Sequence, residues 1–403
     1  MEELRPEYGE GSLADVPGTV MELLSVENDL SSLSEDIIDT DRSFETVVVI
    51  LVDGLRYDRV EKTDTGFFGE AKEKGSLEKI TSVFPSATPA TLTTLNTGRR
   101  PLGHGLLGWE MYYREFEDHI FTLPFRTREG DSPEDVYGFR PENLFEGSSI
   151  YEKLSKSGID CFSVVDRELE DSEYTGLTSS GAEKVPYYDT ADMALKVGEV
   201  LSEKDGGKYI YGYTPDVDSV SHLEGPGTEA VKNQVEKISN TLERNLVEGL
   251  EPEEMEDSLV IVTSDHGQIE AGEKIDLLQW DKVPECIEKD ENGDLIEPSG
   301  NAGRSVFLHV EDGKTDELKS FLDQKLDAQV LKTQEAIDEG LFGTGLEAEK
   351  FRDRAGDLTI ISRGRKIHWF RPETLEDVGF HGGLHEKEMN IPLLYCELSD
   401  LQD

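Results

Sequence analysis

Acidic and imidazole side chains collect at the ends of apolar runs in this chain, a placement suited to metal-assisted chemistry. The run TVVVILV (46–52) stops at Asp53 and Gly54, and SLVIVTS (258–264) stops at Asp265, His266 and Gly267. Ligand sites in open α/β sheets lie just beyond the carboxyl ends of strands, so each acid would point into a crevice. An Asp-Gly pair alone is also an ordinary turn former. Two adjacent metal-competent side chains, followed by a glycine that lets the backbone turn away, are harder to explain by packing, although a structural ion pair would leave the same trace.

Three further segments carry candidate groups. In VFPSATPATLTTLNTG, Thr88 precedes Pro89 and a short helical pattern that ends at Gly98. Thr at the N-cap, Pro at the first helical position and Gly past the end follow the asymmetry of helix termini, so Thr88 is expected as the cap. That position also puts its hydroxyl at the positive end of a helix, where a phosphate or an alkoxide is favoured. In YIYGYTPDVDSVSHLEGPG, an aromatic run leads to Asp216, Asp218 and His222. A helical turn would place Asp218 and His222, four apart, on one face as mixed oxygen and nitrogen ligands for Zn²⁺ or its neighbours; Asp216, six from His222, competes. VGFHGGLHEKEMNIPLL offers His381 between glycines and also His385, and locally either could be a ligand.

Grouped together, Asp218, His222 and His381 would hold one cation, and Asp53, Asp265, His266 and the Thr88 oxygen another. Two cations about 3.5–4 Å apart can clamp the attacking and leaving oxygens of an in-line displacement at phosphorus.

Positioning these side chains takes a sheet. Apolar runs at 46–53, 76–84, 161–166, 208–214, 258–264, 305–310, 357–362 and 391–396 alternate with amphipathic or cap-flanked segments, which is an α/β pattern. Val231, Val235, Ile238, Leu242 and Leu246 recur at spacings of three and four, which predicts a helix over 226–247 covering one sheet face. Residues 100–147 and 267–304 fit the alternation badly and read as cap or edge insertions. With no internal repeat, and with motifs drawn from both ends of the chain, 1–403 reads as one catalytic domain.

Composition narrows the function classes. Lys plus Arg number 40 against 87 Asp plus Glu, a net charge of −47, which excludes a grip on nucleic-acid duplexes or anionic membranes. The excess acid is spread along the chain and reads as a solvated shell. Its self-repulsion is screened at about 1 M salt, where the Debye length is roughly 3 Å, so a salt-loaded, halophile-type cytoplasm is expected. Cys161, Cys286 and Cys396 are far apart and read as packing residues in a reduced compartment. Neither a leader pattern nor an apolar run near 20 residues is present, so a soluble intracellular protein is expected.

These motifs together resemble the alkaline phosphatase superfamily, and most of all its type I phosphodiesterase/nucleotide pyrophosphatase branch. The likeness rests on VDG (52–54), FPSATPATLTTLNTG, HGLLGW (104–109), the Asp218-to-His222 spacing, SDHG (264–267) and FHGG (380–383), in the family's order. It implies a mixed, largely parallel central sheet flanked by helices on both faces, with small cap insertions. It further implies Thr88 as nucleophile and ligand, with Asp53, Asp265 and His266 on its metal, and Asp218, His222 and His381 on the other. It selects Asp218 over Asp216 and His381 over His385. The cofactors implied are two divalent ions, Zn²⁺ foremost, with Mn²⁺ or Fe as the other candidates. The reaction implied is hydrolysis of a small phosphodiester or nucleotide pyrophosphate through a phosphothreonine. Phosphomonoesters and phosphonates are the next substrates, and a phosphomutase or a noncatalytic metal or nucleotide binder are the readings of other classes. One departure stands out. Where the branch often carries an Asn after the His-Gly, this chain has Trp109, whose indole N–H, or the charge of Arg99, Arg100 or Arg114, would have to serve the substrate instead.

Overall fold

Thr46–Val52 lies at the centre of the main sheet with every residue buried. Its alternation sorts side chains onto two faces. Val47, Val49 and Leu51 join a layer with Leu13, Phe84 and Leu95, whereas Val48, Ile50 and Val52 pack with Phe67, Val235 and Ile238. A strand covered on both faces has no solvent side to mark with polar residues, which is why it reads as one unbroken apolar run. The structure is a computed structural model that describes residues 3–203, 206–301, 303–369 and 376–402.

The main sheet has seven strands in the order Ser76–Thr81, Asn390–Glu397, Ser258–Thr263, Thr46–Val52, Lys208–Thr214, Asp160–Asp166 and Glu183–Tyr187. Asn390–Glu397 runs antiparallel to both its neighbours, and the pairs from Ser258–Thr263 onward are parallel. The sheet is therefore mixed and largely parallel, as expected. The predicted amphipathic helix is Glu229–Leu246, and all five of its stripe residues are buried against the second face.

The runs at 305–310 and 357–362 do form strands, but in a second sheet that the alternation did not reveal. Its order is Ala328–Lys332, Leu358–Ser362, Ser305–Leu308, Ser299–Asn301, Glu110–Tyr113, Asp118–Phe121 and Arg126–Thr127, with every pairing antiparallel. The stretches 100–147 and 267–304, read from sequence as insertions over a sheet edge, thus supply strands to this sheet. Periodicity reports that a strand exists and not which sheet it joins, because pairing partners are set by long-range packing. Leu318 and Leu322 of helix Thr315–Lys325 cover one face of it, while Met111, Ile120, Phe307 and Ile361 face the main core. The three cysteines are buried and free.

A short antiparallel pair, Ile269–Glu270 with Gly379–Phe380, matters more to the site than its length suggests. It ties the segment after Asp265-His266 to the segment before His381.

Candidate active site

Each group identified from sequence sits just past an element that the apolar pattern builds. Asp53 follows strand Thr46–Val52, and Asp265 and His266 follow Ser258–Thr263 one residue later. These strands are parallel neighbours, so their carboxyl ends meet at one edge of the sheet. Asp218 and His222 lie on helix Asp216–Glu224, which starts where strand Lys208–Thr214 ends, and His222 Nε2 is 3.3 Å from Asp218 Oδ2. Gly54 permits the approach of these two strand ends: its φ is +72°, and a Cβ there would lie 2.9 Å from Asp218 Cα.

Thr88 is placed differently from the expectation. The N-cap of helix Thr88–Thr97 is Ala87, in extended conformation, and Thr88 is the first helical residue. Its hydroxyl is therefore not used for capping, and it lies 3.1 Å from His266 Nε2. The alternative of a merely structural cap is removed, because the cap position is one residue earlier.

Two groups of ligand-type atoms, each within 4.8 Å of one another, are brought together: Asp53, Asp265 and His266, and Asp218, His266 and His381. His266 belongs to both. His222 reaches the second group through Asp218. The competing residues point elsewhere. Asp216 accepts hydrogen bonds from Thr190 Oγ1 and Gln234 Nε2, both at 2.6 Å. His385 caps helix Glu386–Met389, its Nδ1 accepting the Lys387 N–H at 3.0 Å.

The three imidazoles share one hydrogen-bonding pattern. Nδ1 faces a backbone carbonyl in each, Gly379 O at 2.8 Å for His222, Gly267 O at 3.1 Å for His266 and Ser86 O at 3.1 Å for His381. This leaves Nε2 directed at the carboxylates, the arrangement by which outer hydrogen bonds select the tautomer of a ligating histidine.

The electrostatics of the cluster ask for positive charge. Burial, then the neighbouring Asp265 and Asp218, hold the Asp53 carboxyl well above its usual range. Asp53 Oδ2 accepts the Tyr213 hydroxyl at 2.6 Å, but Oδ1 is buried with no hydrogen-bond partner among the described residues. Burial opposes charge on Asp218 too, yet His222, His381 and His266 hold it below its ordinary value. The same Asp218 raises His222 to about 9 against the effect of burial, while burial and the His266 charge push His381 down to about 3. Two buried carboxylates, a third that is part-buried, an Asp53 oxygen without a hydrogen bond among the described residues and oriented Nε2 atoms fit divalent ions with mixed oxygen and nitrogen ligation.

Two cavities flank Thr88, and Thr88, Trp109 and Asp218 line both. One, of about 370 Å³, also includes His222, His381, Asn301 and Trp369; the other, of about 670 Å³, includes Asp53, Tyr211, Tyr213 and Arg126. Trp109, 46% exposed, contributes to both. Arg99 lies past the far end of helix Thr88–Thr97, with its guanidinium on Gly103 O, and lines neither cavity. Ten helical residues span about 15 Å, which separates it from Thr88. Arg100 bonds Thr344 and Ser31, and Arg114 pairs with Glu288.

Sequence reasoning missed Tyr213, Gln268 and Asn301. Tyr213 sits on the strand before Asp218, and Gln268 donates to Asp218 Oδ1. Asn301 brings a carboxamide beside Trp109, but its Oδ1 accepts the Trp109 backbone N–H and its Nδ2 donates to Leu107 O and Ser305 Oγ. Gln268 was legible as the residue following Asp-His-Gly. Asn301 was not, since it reaches the site from the second sheet.

A strand-end cluster of this kind on a mixed, largely parallel sheet is the placement expected of a metal-assisted enzyme of the α/β class. The profile of the type I phosphodiesterase/nucleotide pyrophosphatase family matches residues 47–384, so the chain belongs to that family and is a phosphoric ester hydrolase. No curated protein matches the chain by sequence. Among solved structures, murine ectonucleotide pyrophosphatase/phosphodiesterase 5 is similar at 18% identity and a TM-score of 0.64, with 86% of this chain and 87% of that one covered. An inactive form of the same murine protein in complex with AMP gives 18% identity and 0.63, covering 88% and 92%. Phosphonoacetate hydrolase from Sinorhizobium meliloti 1021, in complex with phosphonoformate, gives 17% and 0.62, covering 86% and 89%.

Proposed function

We propose that this hydrolase cleaves phosphodiester or nucleotide pyrophosphate bonds with Thr88 as nucleophile, passing through a phosphothreonine. The observation that carries the reading is the Thr88 hydroxyl. Thr88 is 8% exposed, is the first residue of a helix and lines two cavities, and its hydroxyl lies 3.1 Å from His266 Nε2.

Asp53, Asp265 and His266, with Thr88, would hold one divalent ion, and Asp218, His222 and His381 the other, with Zn²⁺ the first candidate for the mixed ligand set. Cations bound there would supply positive charge against the attacking and leaving oxygens of a displacement at phosphorus. The chain's own groups do the positioning. The amino end of helix Thr88–Thr97 favours negative charge on the Thr88 oxygen. His266, its Nδ1 on Gly267 O, holds Nε2 3.1 Å from that hydroxyl, so the two would face the same ion. Tyr213 and Gln268 fix the carboxylates of Asp53 and Asp218. Attack by Thr88 Oγ1 expels the alcohol or phosphate leaving group, and water then displaces Thr88 from phosphorus. Two inversions give overall retention.

The two cavities, which share Thr88, Trp109 and Asp218 in their linings, support a substrate with two organic arms on phosphorus. The AMP complex of the murine neighbour supports a nucleotide as one such arm. The dispersed acidity supports a salt-rich cytoplasm as the setting. The test is an assay of bis-(p-nitrophenyl) phosphate against p-nitrophenyl phosphate at matched ionic strength, with Zn²⁺ and Mn²⁺ added separately. A higher kcat/KM for the diester is expected, and preference for the monoester overturns the diesterase reading.

A further inference from the structure

Arg304 and Glu388 are both 0% exposed, an uncommon burial for two full charges, and neither lines a cavity beside Thr88. Their contact is a two-pronged ion pair, Nε to Oε1 at 3.0 Å and Nη2 to Oε2 at 2.6 Å. The remaining contacts of Glu388 lead to segments that carry candidate ligands. Glu388 Oε1 also accepts the Gly383 N–H at 2.9 Å, and Oε2 accepts the His385 N–H at 3.3 Å, which grips the backbone just after His381. The Glu388 backbone carbonyl accepts the Gly267 N–H at 2.8 Å, which grips the backbone just after His266. Ser86 Oγ donates to Gly383 O at 2.8 Å, and Ser86 O faces His381 Nδ1, so the same knot reaches the segment leading to Thr88. Arg304 anchors all of this to the second sheet. It lies on the turn between strands Ser299–Asn301 and Ser305–Leu308, and its Nη1 donates to Lys366 O at 2.6 Å.

A buried ion pair is weak evidence for stability, because removing two charges from water offsets much of their attraction. Its use here is better explained by what it holds. We infer that Arg304 and Glu388 are positioning residues whose ion pair sets the spacing of His266 and His381, and hence the affinity of the paired clusters for divalent ions. The inference rests on the two-cluster reading of the site. The carboxylate, pinned by the guanidinium in one orientation, uses its remaining lone pairs on the His381 loop, while its own backbone holds the His266 loop. A point charge in place of the planar fork could not fix both oxygens.

The experiment uses the full chain, stripped with chelator and titrated with Zn²⁺ by calorimetry, with thermal unfolding of the metal-free form recorded alongside. Arg304→Lys should weaken Zn²⁺ binding by about 10- to 100-fold, the usual effect of losing an outer-shell partner. Because breaking one side of a buried pair can prevent folding, the deciding variant combines Arg304→Met with Glu388→Met, which removes both charges and keeps apolar bulk. It should unfold cooperatively near the wild-type midpoint yet lose at least about tenfold in Zn²⁺ affinity. A folded double variant with wild-type affinity and stoichiometry overturns the inference and leaves the metal reading standing. A double variant that does not fold assigns the pair to folding and also overturns it. A wild-type chain that takes up no Zn²⁺ removes both readings together.

Discussion

The rings of His266 and His381 stack face to face, with centroids 3.6 Å apart and planes 14° from parallel. The two residues are separated by more than a hundred positions in sequence, and their Nδ1 atoms face carbonyls of different segments. His266 also belongs to both candidate ligand groups, so the two groups form one continuous site.

Thr88→Ala should leave the fold intact, since the Thr88 hydroxyl caps nothing, and should lower kcat on bis-(p-nitrophenyl) phosphate by on the order of 10⁴-fold or more. Circular dichroism and initial rates check this together. A variant with a near-normal rate would remove Thr88 from the nucleophile role.

Gly54→Ala should separate Asp53 from Asp218. The left-handed backbone at Gly54 costs an alanine about 1–2 kcal/mol, and the new methyl would meet Asp218 Cα at 2.9 Å. Lower stability by thermal unfolding and weaker Zn²⁺ binding by calorimetry are both expected. Unchanged affinity would show that the strand ends tolerate the shift.

Asp15 gives a pH signature away from the metal groups. Burial raises its carboxyl to about 6, even with the Gly9 and Ser12 N–H groups and Arg100 nearby. The folded state thus binds this proton more tightly than the unfolded state. Its contribution is full below about 3.8 and is lost as pH rises through about 6. The loss is on the order of 2–3 kcal/mol. Urea unfolding at pH 4 and pH 7 should show that Asp15→Asn lacks this part of the decline; an identical decline in both proteins would refute the assignment.

Salt should stabilise the chain. At a net charge of −47, moving from about 0.1 M to about 1 M KCl shortens the Debye length from about 10 to about 3 Å and screens the repulsion among surface carboxylates. The midpoint of thermal unfolding is expected to rise across that range. A flat or falling midpoint would separate the acidity from any adaptation to salt.

From sequence alone, the apolar runs identified the buried strands, and the acids and histidines at their ends identified Asp53, Asp218, His222, Asp265, His266 and His381 as candidates. That much is local. A strand covered on both faces must be apolar throughout, and a side chain just past its end must face the sheet edge. Helix Glu229–Leu246 was legible for the same reason, through the spacing of its buried stripe. Local spacing left Asp216 and Asp218 open and the resemblance selects Asp218; the tertiary structure supplies the physical reason, because Thr190 and Gln234, from other elements, claim Asp216. It also moved the helix cap from Thr88 to Ala87, took Arg99 away from the cavities, and gathered seven strands from residues 110–362 into a second sheet. Through that sheet come Asn301 beside Trp109 and Arg304 beneath the histidine loops. Their roles depend on partners distant in sequence, whose pairing is set by packing and hydrogen bonding across the whole chain and leaves no periodic trace in any one segment.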